Sequence, residues 1–236
     1  MIRIGLVLSL VATALLLAGP LGSRVGLWSF IIGFLMLGLS LLLALVGASL
    51  SLVGGIKTGQ WAMAVAGIVV GLIVVSVPSS VILSARGAPP IHDITTDPED
   101  PPAFVAVLAR RAGARNPVEY GGPAVAAQQR RAFPDLVPLD LPVSPERAFP
   151  AVEAAARDLG WEIVETAPAE GRLEATATTP WFGFKDDVVV RVRARGAGSR
   201  VDVRSLSRVG VGDLGVNAAR VRAFLERLRA SGLARA

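Results

Sequence analysis

The pattern of hydrophobic and polar positions changes sharply at Asp93, the first acidic residue of the chain. Before it, side-chain charge is confined to four basic residues: Arg3, Arg24, Lys57 and Arg86. They bound three apolar stretches: 4–23, 25–56 and 58–85. A helix needs roughly 20 apolar residues to cross about 30 Å of hydrocarbon, and each stretch supplies them. The sequence therefore predicts a transmembrane anchor of three helices over residues 1–85, with the lipid bilayer as its partner.

The predicted spans carry no ionisable residue in their interiors, which argues against a transporter or pump. Their glycines indicate ordinary glycine usage in lipid rather than helix contacts: Gly33, Gly38, Gly47, Gly54, Gly55, Gly67 and Gly71. The amino terminus and Arg3 lie on the same predicted side as Lys57, and Arg24 and Arg86 lie on the other. The positive charges slightly favour an amino terminus in the cytoplasm. For three spans this predicts a multi-pass cytoplasmic (inner) membrane protein with a periplasmic C-terminal domain.

Residues 86–136 predict a proline-rich strap with turns, because proline breaks helices and restricts the preceding residue. A short helix is expected near 103–111. His92 is the only histidine, and with Asp93 and Asp97 it suggests metal or acid–base chemistry. No second histidine completes a zinc motif, so the pattern favours local hydrogen bonding that fixes the strap. We predict no metal, no cofactor and no catalytic residue.

Residues 137–236 alternate between strand and helix patterns. Strands are expected at 137–143, 161–166, 172–179, 188–195 and 200–208, one helix after Ser144, and a last helix that Asn217 caps. The order β-α-β-β-β-β-α predicts an α+β domain, a two-layer sandwich in which both helices cover one face of an antiparallel sheet.

The last two strands place their arginines on one sheet face, the face without helices. With a symmetric turn over 196–199, Arg193 would oppose Asp202 and Arg191 would oppose Arg204. The arginines on this open face are Arg191, Arg193, Arg204 and Arg208. They indicate either an anion-binding or partner-docking surface or a solvated face with cross-strand ion pairs, and the pattern favours the second.

A segment rich in aromatic and acidic residues leads into one of these strands. Its members are Trp181, Phe182, Phe184, Asp186 and Asp187. The aromatic residues indicate either an interfacial anchor that contacts the bilayer or a partner, or the edge of the core. The two carboxylates suggest a general acid and base, although no histidine or nucleophile is near them in sequence.

The amino-acid composition excludes some kinds of site and some classes of partner. The chain has no cysteine, which removes disulfides and thiolate sites. Its net charge is +5, but most of that comes from the apolar half, so the C-terminal part is nearly balanced. We therefore predict no nucleic-acid partner.

Several strings occur in an order that resembles the domain of unknown function 1499 family of bacterial and plastid proteins. They are Pro-Pro-Ile-His-Asp-Ile-Thr-Thr-Asp (89–97), Phe-Pro-Asp-Leu (133–136), Glu-Ala-Thr (174–176), Trp-Phe-Gly-Phe-Lys-Asp-Asp (181–187), Asp-Val-Arg-Ser (202–205), Ser-Arg-Val-Gly (207–210) and Asp-Leu-Gly-Val-Asn-Ala (213–218). The resemblance covers about residues 86–230 and implies an envelope or lumenal setting. It supplies no activity and no catalytic residues.

These observations favour a non-enzymatic membrane protein whose periplasmic domain binds an envelope protein or an anionic lipid headgroup. Two alternatives remain open. One is a membrane-tethered hydrolase that uses His92 with nearby carboxylates or the Asp186/Asp187 pair. The other is an accessory subunit of a larger membrane complex, in which the helices form the interface.

Overall fold

A computed structural model describes residues 1–233 of the chain. It divides into two compact units. The helical unit comprises Met1–Arg86 together with Pro180–Gly183, and the α+β unit comprises Gly87–Thr179 and the chain from Phe184 onward.

The helical unit contains three long apolar helices, as predicted. They are α1 (Ile2–Arg24), α2 (Phe30–Thr58) and α3 (Trp61–Ser84). Within residues 1–233, these are the helices long and apolar enough to span a membrane. The turn after α1 uses Gly26 at φ +78° and α2 ends on Gly59 at φ +70°, a conformation that glycine adopts without steric cost. The long middle stretch therefore forms one helix with a turn at its start.

Glycine brings the three helices together, which corrects the prediction of ordinary glycine usage. A Cβ atom on Gly47 of α2 would lie 2.6 Å from Ser9 Oγ of α1, and one on Gly67 of α3 would lie 2.1 Å from Ser51 Oγ of α2. Of the seven glycines named above, only Gly38 has open space around it. Small residues let helix backbones approach in lipid, where apolar burial supplies no driving force. Between α1 and α3, the Ser9 hydroxyl donates a hydrogen bond to the Gly67 carbonyl at 2.9 Å.

The α+β unit is built on a six-stranded sheet. Its strands are β1 (Asp93–Thr95), β2 (Leu139–Leu141), β3 (Glu162–Ala167), β4 (Arg172–Thr178), β5 (Lys185–Arg195) and β6 (Gly198–Ser207). The spatial order is β1-β6-β5-β4-β3, with β2 also paired to β6, and every pairing is antiparallel. Its helices are α4 (Gly122–Ala132), α5 (Pro145–Asp158) and α6 (Val216–Ala230), with 3₁₀ turns at Ala106–Arg110 and Pro168–Glu170. From β2 to α6 the predicted order β-α-β-β-β-β-α is confirmed.

One face of the sheet packs against α5 and α6, as predicted. Alternate valines of β5 and β6, such as Val190 and Val203, are fully buried with Val152 of α5 and Phe224 of α6. Trp161 stacks on Phe224 with ring centroids 5.1 Å apart. Alternation along each strand selects this face, because successive side chains point to opposite sides of a sheet.

The predicted hairpin register was wrong by two residues. Arg195 pairs with Gly198, so the turn holds only Gly196 and Ala197, with Gly196 at φ +57°. Arg191 therefore opposes Asp202, and Arg193 opposes Arg200. The valine and arginine faces are unchanged, because a shift of two residues conserves the alternation.

The second sheet face is covered, which corrects the prediction of an open arginine face. Phe104 and Val107 pack on Val189 of β5 and Leu206 of β6 in a separate buried cluster. The covering segment, residues 97–118, carries the 3₁₀ turn where a short helix was expected. Arg204 retains only 4% of its exposure beneath it.

Candidate functional site

The arginine face is where most of the predicted site residues meet. Arg191, Arg193, Arg204 and Arg208 all lie on it, and each is paired with a carboxylate. The carboxylates come partly from the sheet and partly from the segment that covers it. The face is therefore an ion-pair layer between two parts of the α+β unit, buried at Arg204 and partly exposed at Arg193.

Arg204 forms the most enclosed of these pairs. Its Nε and Nη2 donate to the two carboxylate oxygens of Asp93 at 3.0 and 2.7 Å. Further donations reach the carbonyls of Pro102 (3.1 Å) and Val118 (2.6 Å). The guanidinium also lies 4.9 Å from the centre of the Phe104 ring. A planar fork suits this arrangement, which a lysine ammonium could not satisfy.

Burial affects the ionisation of groups around this pair. It raises the pKa of Asp93, and hydrogen bonding from Arg204 only partly offsets that effect. Burial also raises the pKa of Tyr120 to about 12, helped by the negative charge of Asp93. The Tyr120 ring lies 5.7 Å from the Arg204 guanidinium. The tyrosine therefore stays protonated at neutral pH.

Asp202 is the centre of a second group of ion pairs. It is fully buried, and it accepts from Arg191 at 3.0 Å, Arg193 at 3.1 Å and Arg200 at 3.0 Å. The cross-strand ion pairs favoured from the sequence are present here, with Arg191 rather than Arg193 directly opposite Asp202.

Two carboxylates of the covering segment extend this group. Asp97 accepts from Arg200 at 3.0 Å, and Asp100 accepts from Arg193 at 2.7 Å. The Arg193 hydrogen bond is the main reason that the pKa of Asp100 is lowered. The acidic string after His92 therefore supplies partners to the sheet arginines.

The neighbouring carboxylates Asp186 and Asp187 are placed apart by strand alternation. Asp186 pairs with Arg220 of α6 at 2.6 Å. Asp187 pairs with Arg111 at 2.5 Å and with Arg208 at 2.7 Å on the other face. Because the two groups lie on opposite sides of the sheet, they do not form an acid–base pair around a common substrate.

Glu174 is a central residue that the sequence analysis did not identify as a site residue. It is fully buried, and its carboxylate accepts from the backbone N–H groups of Val105, Ala106 and Val107 at 2.9–3.1 Å. Arg172 completes its shell. This carboxylate anchors the start of the 3₁₀ turn. A glutamate between Leu173 and Ala175 within a predicted strand was the only available signal.

His92 connects the strap to the loop before α6. Its Nδ1 lies 3.0 Å from the Val211 carbonyl. Its own carbonyl accepts from the Ser207 N–H and from the Asn217 side-chain amide. The neighbouring Asp93 is already paired with Arg204. Both His92 and Asp93 are therefore engaged in contacts that hold the fold together.

Asn217 is not the helix cap that was predicted. It lies fully buried in the first turn of α6, and its amide bonds to His92 and to Ser207 Oγ at 2.8 Å. Asp213 provides the cap instead, accepting from the Gly215 and Asn217 N–H groups at 2.9 and 2.6 Å. Burial raises the pKa of Asp213.

The aromatic segment is divided between the two units. Trp181 and Phe182 belong to the helical unit, where the Phe182 ring lies 4.6 Å from that of Phe34. Trp181 remains 45% exposed. Phe184 belongs to the α+β unit, where its N–H donates to Thr179 Oγ1 at 2.9 Å.

Most of the α+β unit matches a known protein family. Residues 93–228 match the family described as "Protein of unknown function (DUF1499)". The chain belongs to the DUF1499 family. The matched region begins at β1 and ends within α6, so the DUF1499 domain comprises the sheet, its helices and the segment that covers the arginine face.

No curated protein matches the chain significantly. Among solved structures, the crystal structure of TTHA0849 from Thermus thermophilus is similar over 40% of this chain and 96% of its own, with 12% identity and a TM-score of 0.26. A similarity at that level adds nothing to the account of the DUF1499 domain.

Within residues 1–233, no group of three or more histidine, cysteine, aspartate or glutamate side chains is arranged to hold a metal ion. The carboxylates of the DUF1499 domain that lie close together are separated by arginines. Their chemistry is that of a folded ion-pair layer, in which each buried charge has a partner.

Proposed function

We propose that this DUF1499 protein is a non-enzymatic binding module, anchored in the cytoplasmic membrane by three helices, whose periplasmic domain binds a protein or lipid partner. The observation that carries the proposal is the pairing of the candidate chemical groups with one another. Asp93, Asp97, Asp186 and Asp187 each hold an arginine. Using any of them as a proton carrier would break a pair that stabilises the fold.

The exposed surface supports binding through apolar rather than charged groups. The arginines predicted to attract anions are occupied, whereas Trp181 keeps 45% of its exposure and Val211 keeps 80%. Within the α+β unit, Leu214 and Val216 are exposed close to Val211 in the chain, and grouped apolar side chains mark interaction sites more often than single scattered ones do. This shifts the proposed contact away from the arginine face.

Turnover assays test the non-enzymatic part of the proposal. The full chain, reconstituted in liposomes, is offered chromogenic carboxylic esters, phosphate esters and peptides beside a His92→Ala variant. We expect the two proteins to give the same background rate. Hydrolysis that His92→Ala abolishes, in a variant that remains folded by circular dichroism, would establish the hydrolase instead.

In-cell photocrosslinking tests the binding part. A photoreactive residue at Trp181 is compared with one at Ala197, an exposed position in the β5–β6 turn. We expect a discrete adduct, with protein or with lipid, at position 181 and not at 197. Identical labelling at both positions contradicts a specific contact.

Protease accessibility tests the orientation. In spheroplasts, a protease added outside should digest the DUF1499 domain while the three spans stay protected. Digestion only after the membrane is opened would place the domain in the cytoplasm and move the partner there.

A further inference from the structure

The loop between β6 and α6 exposes apolar side chains that the ion-pair layer does not explain. This loop, residues 209–215, is called the apolar loop below. Val211 is 80% exposed and Leu214 is 58% exposed, and Val216 at the start of α6 is 40% exposed. Two neighbouring glycines, Gly210 and Gly212, leave these side chains without bulky neighbours.

The backbone of the apolar loop holds one of these residues in an unfavourable conformation. Leu214 has φ +56°, and it is the only non-glycine residue with positive φ within residues 1–233. Glycine or asparagine adopts this conformation at little cost, whereas the Cβ atom of a leucine is strained in it. The conformation directs an apolar side chain outward. Strain of this kind marks positions where a specific side-chain placement is used.

The only acidic group of the apolar loop is directed inward. The Asp213 carboxylate accepts from the N–H groups of Gly215 and Asn217. The outer surface of the loop is therefore uncharged and apolar, the composition expected for contact with lipid rather than with water.

The apolar loop is attached to the chain that leaves α3. The Asp213 N–H donates to the Ile91 carbonyl at 3.2 Å. A Cβ atom on Gly212 would lie 3.0 Å from the Pro90 Cα, and one on Gly215 would lie 3.7 Å from the Ala88 Cβ. These contacts all lie within the α+β unit, so the loop and residues 88–91 form one local structure.

The covalent chain limits how far that structure can be from the membrane. Ala88 follows Ser84, the last residue of α3, by four positions, so the two lie within about 14 Å at full extension. The 24 residues of α3 extend about 36 Å, slightly more than the hydrocarbon thickness of about 30 Å. The end of α3 is thus expected at the headgroup level, where the exposed Arg86 suits lipid phosphates.

We propose that the apolar loop inserts Val211 and Leu214 into the lipid interface, so that the bilayer is itself a ligand of the DUF1499 domain. This rests on the proposed function and makes lipid the partner at this surface. Contact with a second protein is the competing outcome, and fluorescence quenching distinguishes it from contact with lipid.

The absence of cysteine from the sequence allows a direct test on the full chain. A Val211→Cys variant and an Ala197→Cys variant are labelled with a fluorophore and reconstituted in phosphatidylcholine–phosphatidylglycerol vesicles. The two positions flank β6, whose ten residues separate them by about 30 Å. Quenching is measured with doxyl-labelled lipid and with aqueous iodide.

We expect the probe at 211 to lose fluorescence to doxyl lipid and to resist iodide, with the reverse at 197. Iodide quenching at 211 equal to that at 197 overturns the proposal. Resistance at 211 to both quenchers also overturns it, because that result indicates a protein contact. Either negative outcome leaves the turnover and crosslinking tests of the proposed function intact.

Discussion

Arg204 and Asp93, 111 positions apart in the chain, form a two-pronged ion pair beneath a segment that closes over the sheet. The pair joins β6 to β1, and the same guanidinium holds the carbonyls of Pro102 and Val118. One side chain therefore holds the covering segment at two points, at Pro102 and at its last residue, Val118.

Replacing Arg204 with leucine should strongly destabilise the DUF1499 domain. The change leaves the Asp93 carboxylate buried without a partner, which costs about 3–5 kcal/mol. Arg195→Leu is the matched control, because its pair with Asp140 is 57% exposed on both sides and contributes about 0.2–1 kcal/mol. Thermal unfolding of the detergent-solubilised chain measures both. Equal losses for the two variants would contradict the structural role of Arg204.

Glu174→Gln should loosen the covering segment selectively. The amide presents an N–H₂ group where the carboxylate accepted from Val105, Ala106 and Val107, leaving buried donors unsatisfied at about 1–3 kcal/mol. Limited trypsin digestion should then cut near Arg110 and Arg111 sooner than in the parent. Glu162→Gln, which removes an exposed partner of Arg110, should leave the cutting rate unchanged; faster cutting there would assign the effect to Arg110 itself.

Two glycines of α2 should respond in opposite ways to alanine. Gly47→Ala places a methyl group 2.6 Å from Ser9 Oγ and 2.8 Å from the Gly5 carbonyl, so α1 must move away. Gly38→Ala meets open space and should be neutral or stabilising by about 0.5–1 kcal/mol, because alanine favours helix. Heat denaturation in mild detergent compares them. If Gly38→Ala proved the more damaging change, the helix packing described above would be incorrect.

The Asp135–Arg222 pair should give the domain a pH-dependent contribution. Hydrogen bonding from Arg222 lowers the pKa of Asp135, below its unfolded value of about 3.9. A depressed acid contributes stability above the unfolded pKa and loses it as pH falls through the folded pKa. Because both side chains are partly exposed, the contribution is about 0.2–1 kcal/mol.

Asp135→Asn should therefore lower stability near pH 6 and become indistinguishable from the parent at the acid end of the range. Unfolding measured from pH 6 downward tests this. In an Arg222→Gln background, the same change should have no effect at any pH. A persistent difference in that background would show that Asp135 acts through another group.

The sequence predicts the elements of this protein better than their contacts. Charge spacing locates the three apolar helices, and alternation locates β2–β6 and both sheet faces. The predicted strap over 86–136 was incomplete, because it also contains β1 and α4. The hairpin register was wrong because Gly196 and Ala197 close the turn alone, and a shift of two residues leaves the alternation unchanged. The covered face could not be predicted, because it depends on contacts between residues far apart in the chain. Arg204 and Asp93 are 111 positions apart, and Glu174 and Val105 are 69 positions apart. No local sequence pattern indicates such a contact.

Asp186 and Asp187 illustrate the same limit in the candidate site. Adjacent carboxylates suggested paired chemistry, yet the strand that contains them sends one to Arg220 and the other to Arg111. Alternation in β5 was sufficient to separate them. The arginine that pairs with each carboxylate could be identified only from the folded structure.

Amide hydrogen exchange on the full chain most directly tests whether the covering segment closes the arginine face. The Val107 N–H, held by the buried Glu174 carboxylate at 2.9 Å, should exchange as slowly as amides of the neighbouring strands β5 and β6. Exchange of this amide at the rate of an unstructured peptide would show that the face is open and that its arginines are available to a ligand.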